Sequence, residues 1–177
     1  MPARAATRCG TTEARAHGWL AVRIRPGRER DVVASLRRQG VEVYLPERHH
    51  RKIWSRSYGS SAGPLFPGYA FALFDSSVDW EKLLRISGLE GFASFRGGAA
   101  TIPAKQLEDL RLLLEKGVPF CLHPCARVGW RVRLRGGKLE GVEGVLFRQE
   151  HAQLAISIEP IRRSLAIDIR GYELELV

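Results

Sequence analysis

Cysteine is scarce: Cys9, Cys121 and Cys125 are the only three in 177 residues. An odd, low count excludes the disulfide framework of small secreted domains and points to a reducing compartment, the cytoplasm. "CLHPC" (121–125) sets His123 between two of the cysteines. Tetrahedral zinc takes four ligands, however, and no second Cys/His pair follows, so no metal is expected. No apolar run approaches the roughly 20 residues that cross a bilayer, so no membrane partner is expected. The nucleophile elbow G-x-S-x-G and the metalloprotease H-E-x-x-H are missing too. The glycine-rich "GGKLEGVEG" (136–144) follows its lysine with Leu139 and Glu140. A phosphate loop needs Gly-Lys-Ser/Thr at the mouth of a helix, so this stretch reads as a turn between strands. The expectation is a chain that is not an enzyme and carries no cofactor.

Acidic charge is also in short supply: 28 Lys and Arg stand against 19 Asp and Glu, a net charge of +9. Most of the excess lies between residues 18 and 116, with 16 basic and 11 acidic side chains, while residues 117–177 carry 9 and 7. "RHHRKIWSRSY" (48–58) concentrates it: Arg48, His49, His50, Arg51, Lys52 and Arg56 with no carboxylate. Each phosphate neutralised by such a segment releases counterions, which predicts salt-sensitive, sequence-independent binding of nucleic acid. Trp54 stacks on an exposed base or packs within a hairpin. Without a polyanion, the same charges are a solvated surface.

Residues 1–17 read as a disordered leader, lacking the apolar segment of a secretory signal. In "WLAVRIRPG" (19–27), Leu20, Val22 and Ile24 alternate with Trp19, Ala21, Arg23 and Arg25, the period-2 pattern of a half-buried strand that Pro26 and Gly27 stop. "RERDVVASLRRQG" switches to helical spacing, with Val32, Val33, Ala34 and Leu36 inward and Gly40 as the stop. A strand "VEVYLP" (41–46), a hairpin tip "SYGSSAG" (57–63) and a strand within "PLFPGYAFALF" (64–74) follow. A short helix is expected over 75–88, capped by Asp75 or Ser76, with Val78, Leu83, Leu84 and Ile86 inward. A strand over 89–98 precedes a helix over 102–117, with Pro103 in its first turn and Leu107, Leu110, Leu113 and Leu114 inward. The two prolines of "VPFCLHPC" mark 118–126 as a linker. Beyond it, short alternating strands at 128–134, 143–149, 152–159, 163–169 and 172–177 predict a small closed barrel.

The fold class is α+β: an N-terminal antiparallel sheet with flanking helices over 18–117, similar to the split β-α-β pattern, linked to a small β-barrel over 127–177. The run 64–74 is its least ordinary stretch. Pro64, Pro67 and Gly68 interrupt an apolar segment that carries Phe66, Tyr69, Phe71 and Phe74. Tyr69 and Phe71 share a strand face, while Phe74 lies on the opposite face with Ala70 and Ala72 and is expected to pack inward. Phe66, Tyr69 and Phe71 are then either ordinary core or a surface awaiting a partner.

Two of these motifs, in this order and separation, resemble the NusG-type transcription elongation and antitermination factors over about residues 18–177. "WLAVRIRPGRE", "VEVYLP" and "PLFPGYAFALF" resemble the N-terminal NusG domain, and "VGWRVRLRGGKLEGVEGVL" (128–146) is similar to the KOW motif of an SH3-like barrel. "PLFPGY", the short linker and the ending "SIEPIRRSLAIDIRGYELELV" resemble the specialised operon-associated antiterminators (RfaH/UpxY-like) more than the housekeeping factor. The resemblance implies a monomeric, non-enzymatic factor whose N-terminal domain docks Phe66, Tyr69 and Phe71 on the clamp helices of the largest RNA polymerase subunit. It implies contact of residues 48–56 with upstream or non-template DNA. It also implies recruitment of Rho or a ribosomal protein through the KOW loop at Pro160, Ile161, Arg162 and Arg163. The alternative is an RNA- or ribosome-binding KOW protein, for which the +2 balance of residues 117–177 is a weak foundation.

Overall fold

The computed structural model describes residues 18–48, 63–75, 79–95, 98–124, 129–148 and 153–177. In the N-terminal half, strands β1 (Gly18–Ile24), β2 (Glu42–Tyr44), β3 (Tyr69–Phe74) and β4 (Leu89–Phe92) form an antiparallel sheet in the order β2-β3-β1-β4. Two short strands, β5 (Ser94–Phe95) and β6 (Gly98–Ala99), pair with each other, and β7 (Thr101–Ile102) adds to β1 through Trp19 and Leu20. Helices α1 (Glu29–Arg38) and α2 (Trp80–Leu84) interrupt the early strands, and α3 (Ala104–Glu115) ends this half.

The period-2 pattern separates two apolar layers. Leu20, Val22, Ile24, Ala70, Ala72 and Phe74 cluster with Val32, Val33 and Leu36 of α1 and Leu83 of α2. The opposite face, with Trp19, Ala21 and Phe71, clusters with Leu107, Leu110 and Leu113 of α3. β1 is therefore covered on both sides as far as Ala21, where alternation alone predicts a half-buried strand: Trp19 is only 8% exposed and Ala21 fully buried. Phe74 packs inward as expected, edge-on to Phe92 with ring centres 5.3 Å apart. Each fully buried leucine in these layers contributes roughly 1.5–3 kcal/mol of transfer free energy.

Several boundaries differ from expectation. Ala34 is exposed on α1, and α2 is five residues long, is capped by Asp79, and leaves Leu84 61% exposed; Ser76 and Val78 lie outside the described residues. The Asp79 carboxylate accepts from the Lys82 N–H, closing the first turn. The stretch read as a linker contains a strand, β8 (Phe120–Pro124). An edge strand tolerates prolines, and Pro124 sits at its end.

The C-terminal half continues with β9 (Trp130–Arg135), β10 (Glu143–Arg148), β11 (Gln153–Ile158), β12 (Arg163–Asp168) and β13 (Glu173–Leu176). Four of them fall within the expected segments, and β9 runs one residue past the expected 128–134. They form an antiparallel sheet in the order β13-β9-β10-β11-β12-β8, and among the described residues no ladder joins its two ends. Val132, Leu134, Leu154, Ile156, Leu165 and Ile167 form its buried face. α3 lies against β11, so this helix contributes to both halves of the molecule.

Candidate functional site

The site grows from the turn before β3. Gly68 has φ +82°, a conformation that favours glycine, and a Cβ there would sit 3.2 Å from the Ile24 carbonyl oxygen. The Ile24 N–H donates to the Gly68 carbonyl at 2.8 Å, and the Tyr69 N–H donates to that of Phe66 at 3.0 Å. The third tie is a side chain. The Gly68 N–H donates to Glu29 Oε1 at 2.9 Å, and Glu29 is buried in the first turn of α1. A carboxylate so placed gives a buried amide its acceptor and lies at the favourable end of the helix dipole.

Glu29 was not among the expected site residues, although a signal for it exists. Residues 29, 32, 33 and 36 follow the i, i+3, i+4, i+7 spacing of one helix face, so the stripe that buries Val32, Val33 and Leu36 buries Glu29 with them. A carboxylate on an apolar stripe requires a donor, and Gly68 supplies it.

The three aromatics of the turn are not an open surface. Phe66 is 3% exposed and Phe71 fully buried, while Tyr69 is half-buried. The face that alternation left free is occupied by α3, which explains the difference. Phe66 meets Phe71 edge-on with ring centres 6.1 Å apart, and Tyr44 lies 6.4 Å from Phe71. The Arg111 guanidinium of α3 lies over Tyr44 at 4.6 Å and over Trp19 at 5.3 Å, pinning the helix to the sheet by cation–π attraction. Burial pushes the Tyr44 phenol up to about 12; Arg111 opposes the shift and Glu115 adds to it. Tyr44 is therefore neutral throughout the physiological range.

The other end of α3 is tied to the C-terminal sheet. Asp109 is 3% exposed; its Oδ2 accepts from the Glu143 N–H at 3.1 Å, and its Oδ1 from Lys105 Nζ. Lys105 also donates to the Gly141 carbonyl at 2.8 Å. Burial pushes the Asp109 carboxyl above its ordinary value, against the pull of Lys105 and the Glu143 amide. The neighbouring Glu143 carboxyl is held below its ordinary value, chiefly by its hydrogen bonds from Arg133 at 2.7 and 3.0 Å.

Of the basic segment, His49, His50, Arg51, Lys52, Trp54 and Arg56 lie outside the described residues. Arg48 is exposed, and its N–H donates to the Gly63 carbonyl at 3.0 Å. With Leu65 N–H donating to the Pro46 carbonyl at 2.7 Å and Glu47 bridged to Pro64, the two limbs pair as the base of a hairpin. In the C-terminal loop, Pro160 and Ile161 lie on a 3-10 turn, and Ile161 is buried. Arg162 and Arg163 are exposed, and Arg162 has φ +52°, the left-handed region, where a side chain is strained. Among the described residues no group of His, Cys, Asp and Glu could hold a metal ion, and no helix is long and apolar enough to cross a membrane.

The structure described as "Domain interaction in Thermotoga maritima NusG" is similar over 90% of this chain and 92% of its own, with 18% identity and a TM-score of 0.43. Conformations B and A of the MjSpt4:Spt5 complex are similar over 90% and 89% of this chain and 97% and 98% of theirs. Their identities are 17% and 16%, with TM-scores of 0.32 and 0.31. No curated protein matches the chain. The family described as "NusG: Transcription termination factor nusG" matches residues 17–111, which contain Glu29, the Pro67–Gly68 turn and the aromatics around it. That match spans more than half of the chain, and the protein belongs to the NusG family of transcription factors.

Proposed function

We propose that the protein binds RNA polymerase through the aromatic face of its N-terminal domain, residues 18–117, and suppresses pausing or termination. The carrying observation is the Pro67–Gly68 turn, which presents the half-buried Tyr69 at the border of an apolar cluster containing Phe66, Phe71 and the leucines of α3. Apolar side chains at the edge of such a cluster gain most when a partner helix of matching shape removes them from water. The largest-subunit clamp helices are the partner in this reading. The basic segment beginning at Arg48 contacts upstream or non-template DNA. The KOW domain, residues 127–177, recruits a further partner through Pro160, Arg162 and Arg163; Ile161 supports that loop from the core. The wording of "PLFPGY" favours the operon-associated antiterminator branch, acting as a cytoplasmic monomer.

A single-round transcription assay with purified RNA polymerase tests this reading. The full chain is expected to shorten pause lifetimes or raise terminator read-through, and unchanged pausing and read-through at saturating protein would overturn it. The competing reading, a KOW protein that binds RNA through its C-terminal half, meets an obstacle. Arg133 and Arg135, two of the basic side chains of β9, are already paired with Glu140, Glu143 and Glu175.

A further inference from the structure

The C-terminal sheet ends in an open strand edge. Glu173, Leu174, Glu175 and Leu176 of β13 pair with Arg135, Leu134, Arg133 and Val132 of β9, and among the described residues no strand pairs with the other side of β13. The Val177 N–H donates to the Arg131 carbonyl at 3.1 Å, marking residues 177 and 131 as a hydrogen-bonded pair. Hydrogen-bonded and non-bonded pairs alternate along an antiparallel ladder. The backbone groups of Glu173 and Glu175 therefore point into β9, and those of Leu174 and Leu176 point out of the sheet, where a further strand would bond them.

The side chains divide just as sharply. Trp130, Val132 and Leu134 alternate on one face of β9, and Leu174 and Leu176, opposite Leu134 and Val132, share that face. Val132 and Leu134 are buried in the core, whereas Trp130 is 60%, Leu174 44% and Leu176 68% exposed. The apolar face thus runs past its cover and ends as an exposed lip along the open edge. On the other face Glu175 is paired with Arg133 and Arg135, while Glu173 makes no ion pair among the described residues. An edge strand is normally blunted by covering it or by charges on it, and among the described residues the two glutamates alone serve.

We propose that β13 is a docking edge for an extended segment of another protein in which apolar and basic residues alternate. Backbone bonds would run to Leu174 and Leu176. The apolar residues of the segment would lie opposite these two and cover Trp130, and a basic residue would face Glu173, the glutamate of the strand that no described arginine holds. A second copy of this chain is a poor occupant. The two antiparallel two-fold registers that overlap β13 most set Glu173 against Glu175, or Glu175 against itself, and like charges directly opposite are destabilising. The proposal does not depend on the RNA polymerase reading, since it uses a different sheet.

The test uses the full chain and two synthetic peptides, acetyl-Lys-Val-Lys-Val-Lys-amide and its Glu-for-Lys counterpart, with amide hydrogen exchange followed by NMR. The Lys peptide is expected to slow exchange at Leu174 and Leu176 by about tenfold or more, with smaller changes at Glu173 and Glu175, whose amides are already bonded. The Glu peptide should have no effect. Glu173→Lys, a change at an exposed site, should weaken the Lys peptide about two- to fivefold. Equal action of the two peptides, protection confined to other amides, or no protection at any peptide concentration would overturn the proposal. So would protection that appears with rising protein concentration alone, which would show that the edge pairs with itself.

Discussion

The two sheets bury themselves differently, and α3 is the reason. In the N-terminal sheet the central strand β1 has apolar cover on both faces, from α1 and α2 on one side and α3 on the other. In the C-terminal sheet the cover is uneven. β11, which lies against α3, and its neighbour β12 are buried on both faces, Ala155, Ser157, Ser164 and Ala166 included, while β13, β9 and the start of β10 carry a ladder of Arg133, Arg135, Glu143 and Glu175 on one face. One helix thus serves two sheets, with leucines and Arg111 toward the first and Lys105 and Asp109 toward the second.

The largest expected effect breaks the first sheet. Phe71→Ala should cost about 3–5 kcal/mol in urea unfolding, because Phe71 is fully buried and touches Phe66 and Tyr44. Next is the junction: Asp109→Ala strips the Glu143 amide and Lys105 of their acceptor and should cost about 1–3 kcal/mol. If the two halves then unfold in separate transitions, with the C-terminal one at lower urea, α3 is the element that couples them. Glu29→Ala orphans the Gly68 amide and should cost a similar 1–3 kcal/mol, whereas Glu29→Gln retains an acceptor oxygen and should lose less.

Two carboxyls at the junction sharpen the comparison because their shifts have opposite signs. Asp109 has a raised folded value, so its contribution is present below the ordinary aspartate range and fades as pH climbs through that folded value. Glu143 has a lowered one, so its contribution is present above the ordinary glutamate range and is lost as pH falls through its folded value. In stability measured against pH, Asp109→Asn should therefore flatten the fall on the higher side and Glu143→Gln the fall on the acid side. The smallest effect is Arg162→Gly, which relieves a left-handed residue and should stabilise the C-terminal half by about 0.5–1 kcal/mol.

Period and punctuation made most of the elements legible. The five C-terminal strands, α1, α3 and the inward packing of Phe74 follow from alternation and helical spacing between glycines and prolines. What alternation could not show is what lies on the second face of a strand. Trp19 and Phe71 are core because α3, distant in sequence, returns to cover them, and that is a tertiary fact. β8 was hidden by Pro119 just before it and Pro124 at its end, a position an edge strand tolerates. Glu29 and Asp109 were readable in principle, as carboxylates at helix positions that face protein rather than water. Their donors, a glycine amide 39 residues away and a strand amide 34 residues away, were not.

The burial of Phe66 and Phe71 leaves Tyr69 as the aromatic of the turn that can be altered without emptying the core. Affinity of the full chain for purified RNA polymerase, compared between the native sequence and Tyr69→Ala at matched urea midpoints, is the most direct test of the proposed docking face. The account predicts a loss of about tenfold or more, equivalent to roughly 1.4 kcal/mol or more. Undiminished affinity in the folded variant would contradict it.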